Sequence, residues 1–582
     1  MIRVAVAALV ALGLGALAGL RPVAGLDIWW HLRTGERLLG SPGWLEVDTL
    51  SDGAAGQPWP YKDIGADILL YLAHSVGGDT VLSVVPALVG AGLTLLLARG
   101  SDRSAPPLAW AAVSACALAA MLHRLHARPM LASLLLFAAL LGVLARARHA
   151  TREAEARRGW ALAVGLVLLG GWLHRGALLG AVLLVAAAAW SALAAPAEQR
   201  PRRTVQALLL VGLAAAALVA NPNGLATVAT ATTLLAGDAY RSHVSEWNAM
   251  PLDALLRHHG VGLLPLLLAL GLAIRARRRA EAVDVFAIMA AVALWVAALV
   301  SARWIAYAAL ASAWAALHAA PWPALQRPGR ARLGAAFTLV VLLLAWERPA
   351  SPLRPDAGWV GLWPDRFPVA ALDYARRAKL PRRVENAYDF GGYLLWAGAD
   401  WPGGPLLPSV DGRADMVYAP DVFDRSLRAE HEPRAFAEQQ RVAARSWVLA
   451  RQEPGGRTHA FLARDPAWAL VFWSDPAAVF VRVADHPALA GRDALQLFRG
   501  VALDAEAFAL GSDPTRREAA GRELARLRAM APESVAVQVA EVVFFHASGA
   551  KAARDAALEA LVRRHGEHPA VRALLQRLSQ AS

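Results

Sequence analysis

The chain of 582 residues contains one cysteine, Cys116, and three lysines. A single cysteine has no partner within the chain, which excludes a fold stapled by internal disulfides. Charged residues are scarce, at 18%. The sequence also lacks a phosphate-binding glycine loop, a dinucleotide fingerprint, a Ser/His/Asp nucleophile set and a cysteine-based metal site. Cytoplasmic nucleotide chemistry therefore has no visible home. The formal charge is +13, but its placement argues against a nucleic-acid partner. Arginine carries the charge, much of it in short connections between apolar blocks, where it reports topology.

What remains is strongly apolar: 57% of residues are hydrophobic and the mean hydropathy is +0.38. Apolar blocks run at about 4–20, 80–98, 108–122, 129–145, 160–173, 177–195, 205–220, 261–275, 283–301, 304–320 and 333–347, mostly long enough to cross a bilayer. In lipid only helices and closed barrels satisfy their own backbone. The fold class is thus a polytopic α-helical membrane protein of about 11 transmembrane helices. It divides at about 1–347, a transmembrane domain, 348–502, an α/β domain, and 503–582, a helical tail. Ile64 to His74 is amphipathic and is expected to lie along the membrane surface.

Orientation follows from arginine. Placing the N-terminus in the cytoplasm puts Arg146, Arg148, Arg152, Arg157, Arg158, Arg200, Arg202, Arg203, Arg275, Arg277, Arg278, Arg279, Arg327, Arg330 and Arg332 in cytoplasmic connections. The loop Arg21–Asp63 and everything after about residue 348 then lie outside the cytoplasm. The first twenty residues have the look of a signal peptide and are read as a retained signal anchor.

Beyond the bundle, Pro368–Leu380 predicts a short amphipathic helix, and Ala469–Asp475 and Ala477–Ala484 predict two strands joined by a turn. In the tail, Glu523–Ser534 and Ala560–Val571 share a layout of helix, small loop, proline and helix. That layout fits either two weak tetratricopeptide-like copies or a plain helical hairpin cap.

The densest polar cluster is the first outer loop. "LDIWWHLRTGE" (Leu26–Glu36) opens it, and Glu46, Asp48, Asp52, Lys62 and Asp63 follow, among Trp29, Trp30, Trp44 and Trp59. If the opening stretch is helical, Asp27 and His31 are four apart and share a face. They then suit either a general base with its orienting partner or two metal ligands. The plainer alternative is an aromatic belt at the headgroup layer with solvated charges around it. Arg128, His174, Arg175 and Arg303 fall near span ends on the same side, where the positive-inside rule disfavours them. Taken singly, each would be a side chain snorkelling to the interface.

A resemblance shifts that balance. "LDIWWHLRTGERLL", then "DTLSDGAAGQPWPYKDIGADILLYLAHSVGG", is similar to the first outer loop of bacterial multi-span proteins of the GT-C glycosyltransferase type. "GGWLHRGALLG", "ANPNGL", "SEWN" (Ser245–Asn248) and "SARWIAYAAL" resemble later landmarks, and "NAYDFGGYLLW" and "SVDGRADMVY" resemble outer-domain motifs. The likeness is a string of short landmarks over residues 1 to about 490.

The resemblance implies a bacterial inner-membrane enzyme. It would move a sugar, with inversion, from a polyprenyl-phosphate-linked donor to a glycan, lipid or protein acceptor in the periplasm. Asp27 stands in the place of the family's catalytic acid, with His31 beside it. Lys62, Asp63, Arg128, His174, Arg175, Glu246 and Arg303 become substrate-binding candidates. His174-Arg175-Gly176 stands where a His-Gly pair is expected, and Lys62-Asp63-Ile64 where an Asn-Glu-Trp or His-Glu-Trp is expected. A lysine can take a metal ion's place against phosphate, so a divalent metal stays open and no other cofactor is implied. Membrane lipids surround the bundle, and the tail offers a surface for a protein partner. The rival reading is a non-enzymatic transporter or envelope assembly factor. Transporters usually place polar groups at mid-bilayer, whereas here they gather at one face.

Overall fold

The computed structural model describes residues 2–40, 46–59, 63–100, 105–226, 248–323, 360–363, 366–452, 457–500, 502–566 and 568–581, with 334, 340 and 341 besides. Helices occupy ten of the eleven expected spans; the last, about 333–347, lies almost wholly outside the described residues. Four helical stretches are long and apolar enough to cross a membrane: Ile64–Arg99, Met130–His149, Arg200–Val219 and Leu252–Arg278. Shorter apolar helices include Ala8–Gly19, Pro107–Ala120, Ala177–Leu193 and Val285–Val300.

Their packing follows from small side chains. Helix Ile305–His318 is buried from Ile305 to Leu317. Half of its residues are alanine, which lets neighbouring backbones approach as membrane bundles require. Around it, Val182, Leu193, Leu208, Leu209, Leu267 and Val296 point outward. Such a continuous apolar exterior suits lipid rather than water.

Connections sort into two sets. At one end Arg148 pairs with Asp284, and Arg202 with Glu153. At the other, Asp27, Arg128, His174, Arg175 and Arg303 interact.

Helix Ile64–Gly100 breaks at Gly77 and Gly78. Gly78 has φ 58° and ψ −150°, a region that only glycine enters freely. The piece before the break is amphipathic as expected, with Leu69, Leu72 and Val76 exposed. Its other face is covered by protein: Asp67 and Leu70 are buried, and Gly35 of helix Ile28–Gly40 sits against the Asp67 backbone.

The α/β domain is built on a five-stranded sheet of order β2-β1-β3-β5-β4, with β1 Arg383–Asn386, β2 Leu407–Pro408, β3 Trp447–Arg451, β4 Trp468–Trp473 and β5 Ala477–Arg482. β1 pairs in parallel with β2 and β3, and β5 pairs antiparallel with β3 and β4. The predicted strand pair and the helix Val369–Arg377 both form. The tail is helical from Leu503 to Ala581.

The two domains meet over the connection that follows the first helix. Trp29 packs edge-on to Phe367 and Tyr393, each 5.2 Å away. Trp29, Trp30 and Trp59 are all buried. They do not form the interfacial belt of the plainer alternative reading, because the α/β domain covers them and turns them into an interdomain core.

Candidate active site

Helix Ile28–Gly40 begins where the chain leaves the first helix, and the Asp27 carbonyl accepts the His31 backbone N–H at 3.4 Å. The helix buries Ile28 through Gly35, yet the Asp27 side chain at its start stays 41% exposed. One carboxylate oxygen, Oδ2, lies 3.4 Å from Arg128 Nη2. The other faces Gly412 of the α/β domain so closely that a methyl group there would come within 2.6 Å of Oδ1. Gly392 is pressed in the same way against the Leu26 carbonyl and Trp30. These glycines are what let the second domain close over the start of the helix.

His31 turns away from Asp27 to a residue that the sequence reading had not singled out. Its Nδ1 is 2.7 Å from Asp67 Oδ1, and Asp67 is fully buried. The ring of Trp30 lies over the imidazole at 3.5 Å. Asp67 follows Asp63 by four residues, and its N–H bonds the Asp63 carbonyl. That i,i+4 spacing was the available signal.

His174 caps the helix Glu153–Leu173. Its Nδ1 accepts the Gly176 backbone N–H at 3.0 Å and lies 2.7 Å from Ser133 Oγ. Its Nε2 is 3.9 Å from Asp63 Oδ1. A side chain at Gly176 would collide with Ser133 and Tyr307, which accounts for the glycine after His-Arg. Arg175 lies 3.9 Å from Asp415 of the α/β domain. Its Nε and Nη1 are buried and hydrogen-bond no described residue.

These groups form one electrostatic unit. Burial pushes the His31 imidazole down to about 4; Asp63 and Asp27 pull the other way, while Arg128 and Arg175 add to the depression. Burial likewise pushes His174 down to about 4, against Asp63 and with help from Arg175 and Arg303. Both imidazoles are therefore neutral near pH 7.

The structure thus gathers Asp27, His31, Asp63, Arg128, His174, Arg175 and Arg303, from four connections far apart in sequence. Lys62 and Glu246 lie outside the described residues. Asp67, Asp415, Ser133 and Gly412 join the site without having been picked out for it. Among the described residues no three His, Cys, Asp or Glu side chains converge as metal ligands. Arg128 already supplies a cation beside Asp27.

Solved structures similar to this chain include those of an archaeal oligosaccharyltransferase. One such structure is the archaeal oligosaccharyltransferase AglB from Archaeoglobus fulgidus, in complex with an inhibitory peptide and a dolichol-phosphate. The identity is 13% and the TM-score 0.49, over 77% of this chain and 69% of that one. The apo form of the Archaeoglobus fulgidus oligosaccharyltransferase gives 13%, 0.48, 77% and 69%. Its complex with Zn and sulfate gives 14% and 0.47, over 94% and 85%. No protein-family model matches the sequence, and no curated protein matches it either.

Proposed function

We propose that the protein is an inverting, GT-C-like membrane glycosyltransferase, moving a sugar from a polyprenyl-phosphate-linked donor to an acceptor outside the cytoplasm. The observation that carries this reading is the Asp27 carboxylate, open at the interdomain seam with Arg128 on one oxygen and the Gly412 backbone on the other. A base must reach its substrate, and the Asp27 side chain is 41% exposed.

In this mechanism an acceptor O–H or N–H donates its hydrogen to Asp27 while its heteroatom attacks the anomeric carbon of the donor sugar. The bond from that carbon to the phosphate oxygen breaks, its electron pair stays on the phosphate, and the lipid phosphate leaves. Arg175, whose Nε and Nη1 hydrogen-bond no described residue and whose Nη1 stands 3.9 Å from Asp415, is suited to the charge that gathers on the leaving group. Arg303 and Arg128 stand within the same field. A lipid carrier holds its phosphate at the headgroup plane, so a site at the ends of membrane helices is where such a reaction belongs.

The same reading includes about 11 spans, a cytoplasmic N-terminus and a periplasmic α/β domain. Lys62 and Glu246 complete the donor site, and the tail binds a protein partner. The deciding experiment is photo-crosslinking with a polyprenyl-phosphate analogue, followed by mapping of the labelled residues. Labels at Asp27, Arg128 or Arg175 are expected; labelling spread evenly over the apolar exterior would overturn the reading.

A further inference from the structure

The site holds two buried histidines, and their inner nitrogens face opposite kinds of partner. His31 Nδ1 lies 2.7 Å from a buried carboxylate, Asp67 Oδ1. With Asp67 ionised, its carboxylate can only accept, which assigns the hydrogen of His31 to Nδ1. His174 Nδ1 receives the Gly176 backbone N–H at 3.0 Å. A backbone N–H can only donate, so this Nδ1 is the bare nitrogen. The Ser133 hydroxyl, 2.7 Å away, can turn its hydrogen to the same nitrogen.

Both rings are neutral near pH 7, as their burial requires. A neutral imidazole has one donor nitrogen and one acceptor nitrogen. The outer nitrogens are therefore opposite as well: Nε2 of His31 is an acceptor and Nε2 of His174 is a donor. No described residue hydrogen-bonds the Nε2 of His31. Next to His174, Arg175 keeps two buried donor atoms, Nε and Nη1, that hydrogen-bond no described residue. His174 Nε2 lies 3.9 Å from Asp63 Oδ1 and Arg175 Nη1 lies 3.9 Å from Asp415 Oδ2, both beyond hydrogen-bond reach, so both adjacent residues keep hydrogens to offer an anion.

We propose that the two histidines divide the site by tautomer. On this assignment, which rests on the glycosyl-transfer reading, His174 Nε2–H and the Arg175 guanidinium bind the oxygens of a phosphate monoester. His31 Nε2 accepts a hydrogen bond from the hydroxyl or amide of the incoming acceptor. Asp67 is a positioning residue that holds the His31 tautomer. His174 thus serves the leaving group and His31 the nucleophile.

Two asparagine variants isolate the outer nitrogens, because an asparagine amide reaches only as far as Nδ1. In His174→Asn the amide oxygen can still accept the Gly176 N–H; in His31→Asn the amide nitrogen can still donate to Asp67. The full-length protein is placed in nanodiscs and titrated with undecaprenyl phosphate, and separately with inorganic phosphate. His174→Asn is expected to weaken the lipid phosphate about tenfold or more, the loss of one charge-assisted hydrogen bond. His174→Gln, whose amide reaches the Nε2 position, should restore most of that. His31→Asn should leave binding within about twofold, a change too small for a lost hydrogen bond to phosphate. Equal losses in the two asparagine variants would overturn the assignment. Inorganic phosphate bound as tightly as the lipid would overturn the lipid as the source of the anion.

Nitrogen-15 spectra of histidine-labelled protein read the tautomers directly, whatever ligand binds. His31 protonated on Nδ1 and His174 on Nε2 is the expected result, and Asp67→Asn should disturb the first signal and not the second. Matching tautomers would sink the proposal. A wild-type protein with the expected tautomers that ignores both phosphates would sink the functional reading instead.

Discussion

Asp27 and Asp411 are both aspartates held beside an arginine, and Gly412, the residue after Asp411, packs against Asp27 Oδ1. Their surroundings make them different chemical objects. Asp411 is fully buried, and Arg413 donates to both of its oxygens, at 2.8 and 2.7 Å. The Tyr418 hydroxyl adds a third bond at 2.7 Å. Arg413 also grips Asp48 at 2.5 Å and lies over the Trp59 ring. Burial opposes the charge on Asp411, but Arg413 prevails and holds its carboxyl below the ordinary carboxylate range. Asp27 lies 3.4 Å from Arg128, and its side chain is 41% exposed. A satisfied, dry ion pair can hold two parts of a fold together, whereas an open carboxylate can meet a substrate. Because Asp411 and Arg413 flank Gly412, the first cluster fixes the backbone that the second leans on.

The sharpest way to break this contrast is Asp27→Asn. It keeps the side-chain shape and removes the basic oxygen, so sugar transfer from polyprenyl-linked donor should fall by ~10²–10⁴-fold. The thermal midpoint of the purified protein should hardly move, since the side chain is half in solvent. Near-normal transfer by a well-folded variant would return Asp27 to the class of solvated aspartates.

Arg413→Met makes the opposite demand. It strands two buried carboxylates, Asp48 and Asp411, and such a loss costs about 3–5 kcal/mol. A large drop in the thermal midpoint should appear with or without substrate. Unchanged stability would mean that the cluster is not a clamp.

Gly412→Ala tests the link between the two. Its methyl group would sit 2.6 Å from Asp27 Oδ1, and the exposed carboxylate is the part that can give way. Stability should change by under about 1 kcal/mol, within the range of a tolerated substitution. Transfer should drop by up to ~10²-fold, the effect of a displacement near 1 Å at a reacting group. Measuring both on one preparation separates displacement from unfolding.

Which parts of this were legible in the sequence follows from how far each contact reaches. Apolar blocks and the strand pair Trp468–Trp473 and Ala477–Arg482 are local patterns and were readable. So was the local half of the clamp, Asp411 with Arg413, two residues apart. The far half was not, since Asp48 and Arg413 are 365 residues apart. The cations around Asp27 were found because each ends a span on the same side, a rule that works over any distance. Asp67 was missed because its importance lies in a contact with another helix. Trp29 and Trp30 were misjudged for the same reason: Phe367 and Tyr393 against Trp29, and Gly392 and Gly412 beside Trp30, belong to a domain that begins hundreds of residues later.

The smallest effect concerns a buried acid that has no arginine of its own. Glu430 accepts the Tyr388 N–H at 2.7 Å, and among the described residues no arginine forms an ion pair with it. Burial pushes its carboxyl up to about 8 from an ordinary 4.5, the reverse of Asp411. The folded state therefore keeps a proton that the unfolded chain has already released. Its stabilisation is complete below about pH 4.5 and is lost as the pH rises toward about 8. Within that window the loss should run at about 1 kcal/mol for each pH unit. Glu430→Gln keeps an oxygen for Tyr388 and is neutral at every pH, so the variant should be flatter. The measurement is the thermal midpoint of wild type and variant at pH 5, 6.5 and 8. Parallel curves would show that Glu430 is already charged in the folded protein, and that burial without an arginine does not by itself set an acid apart in this domain.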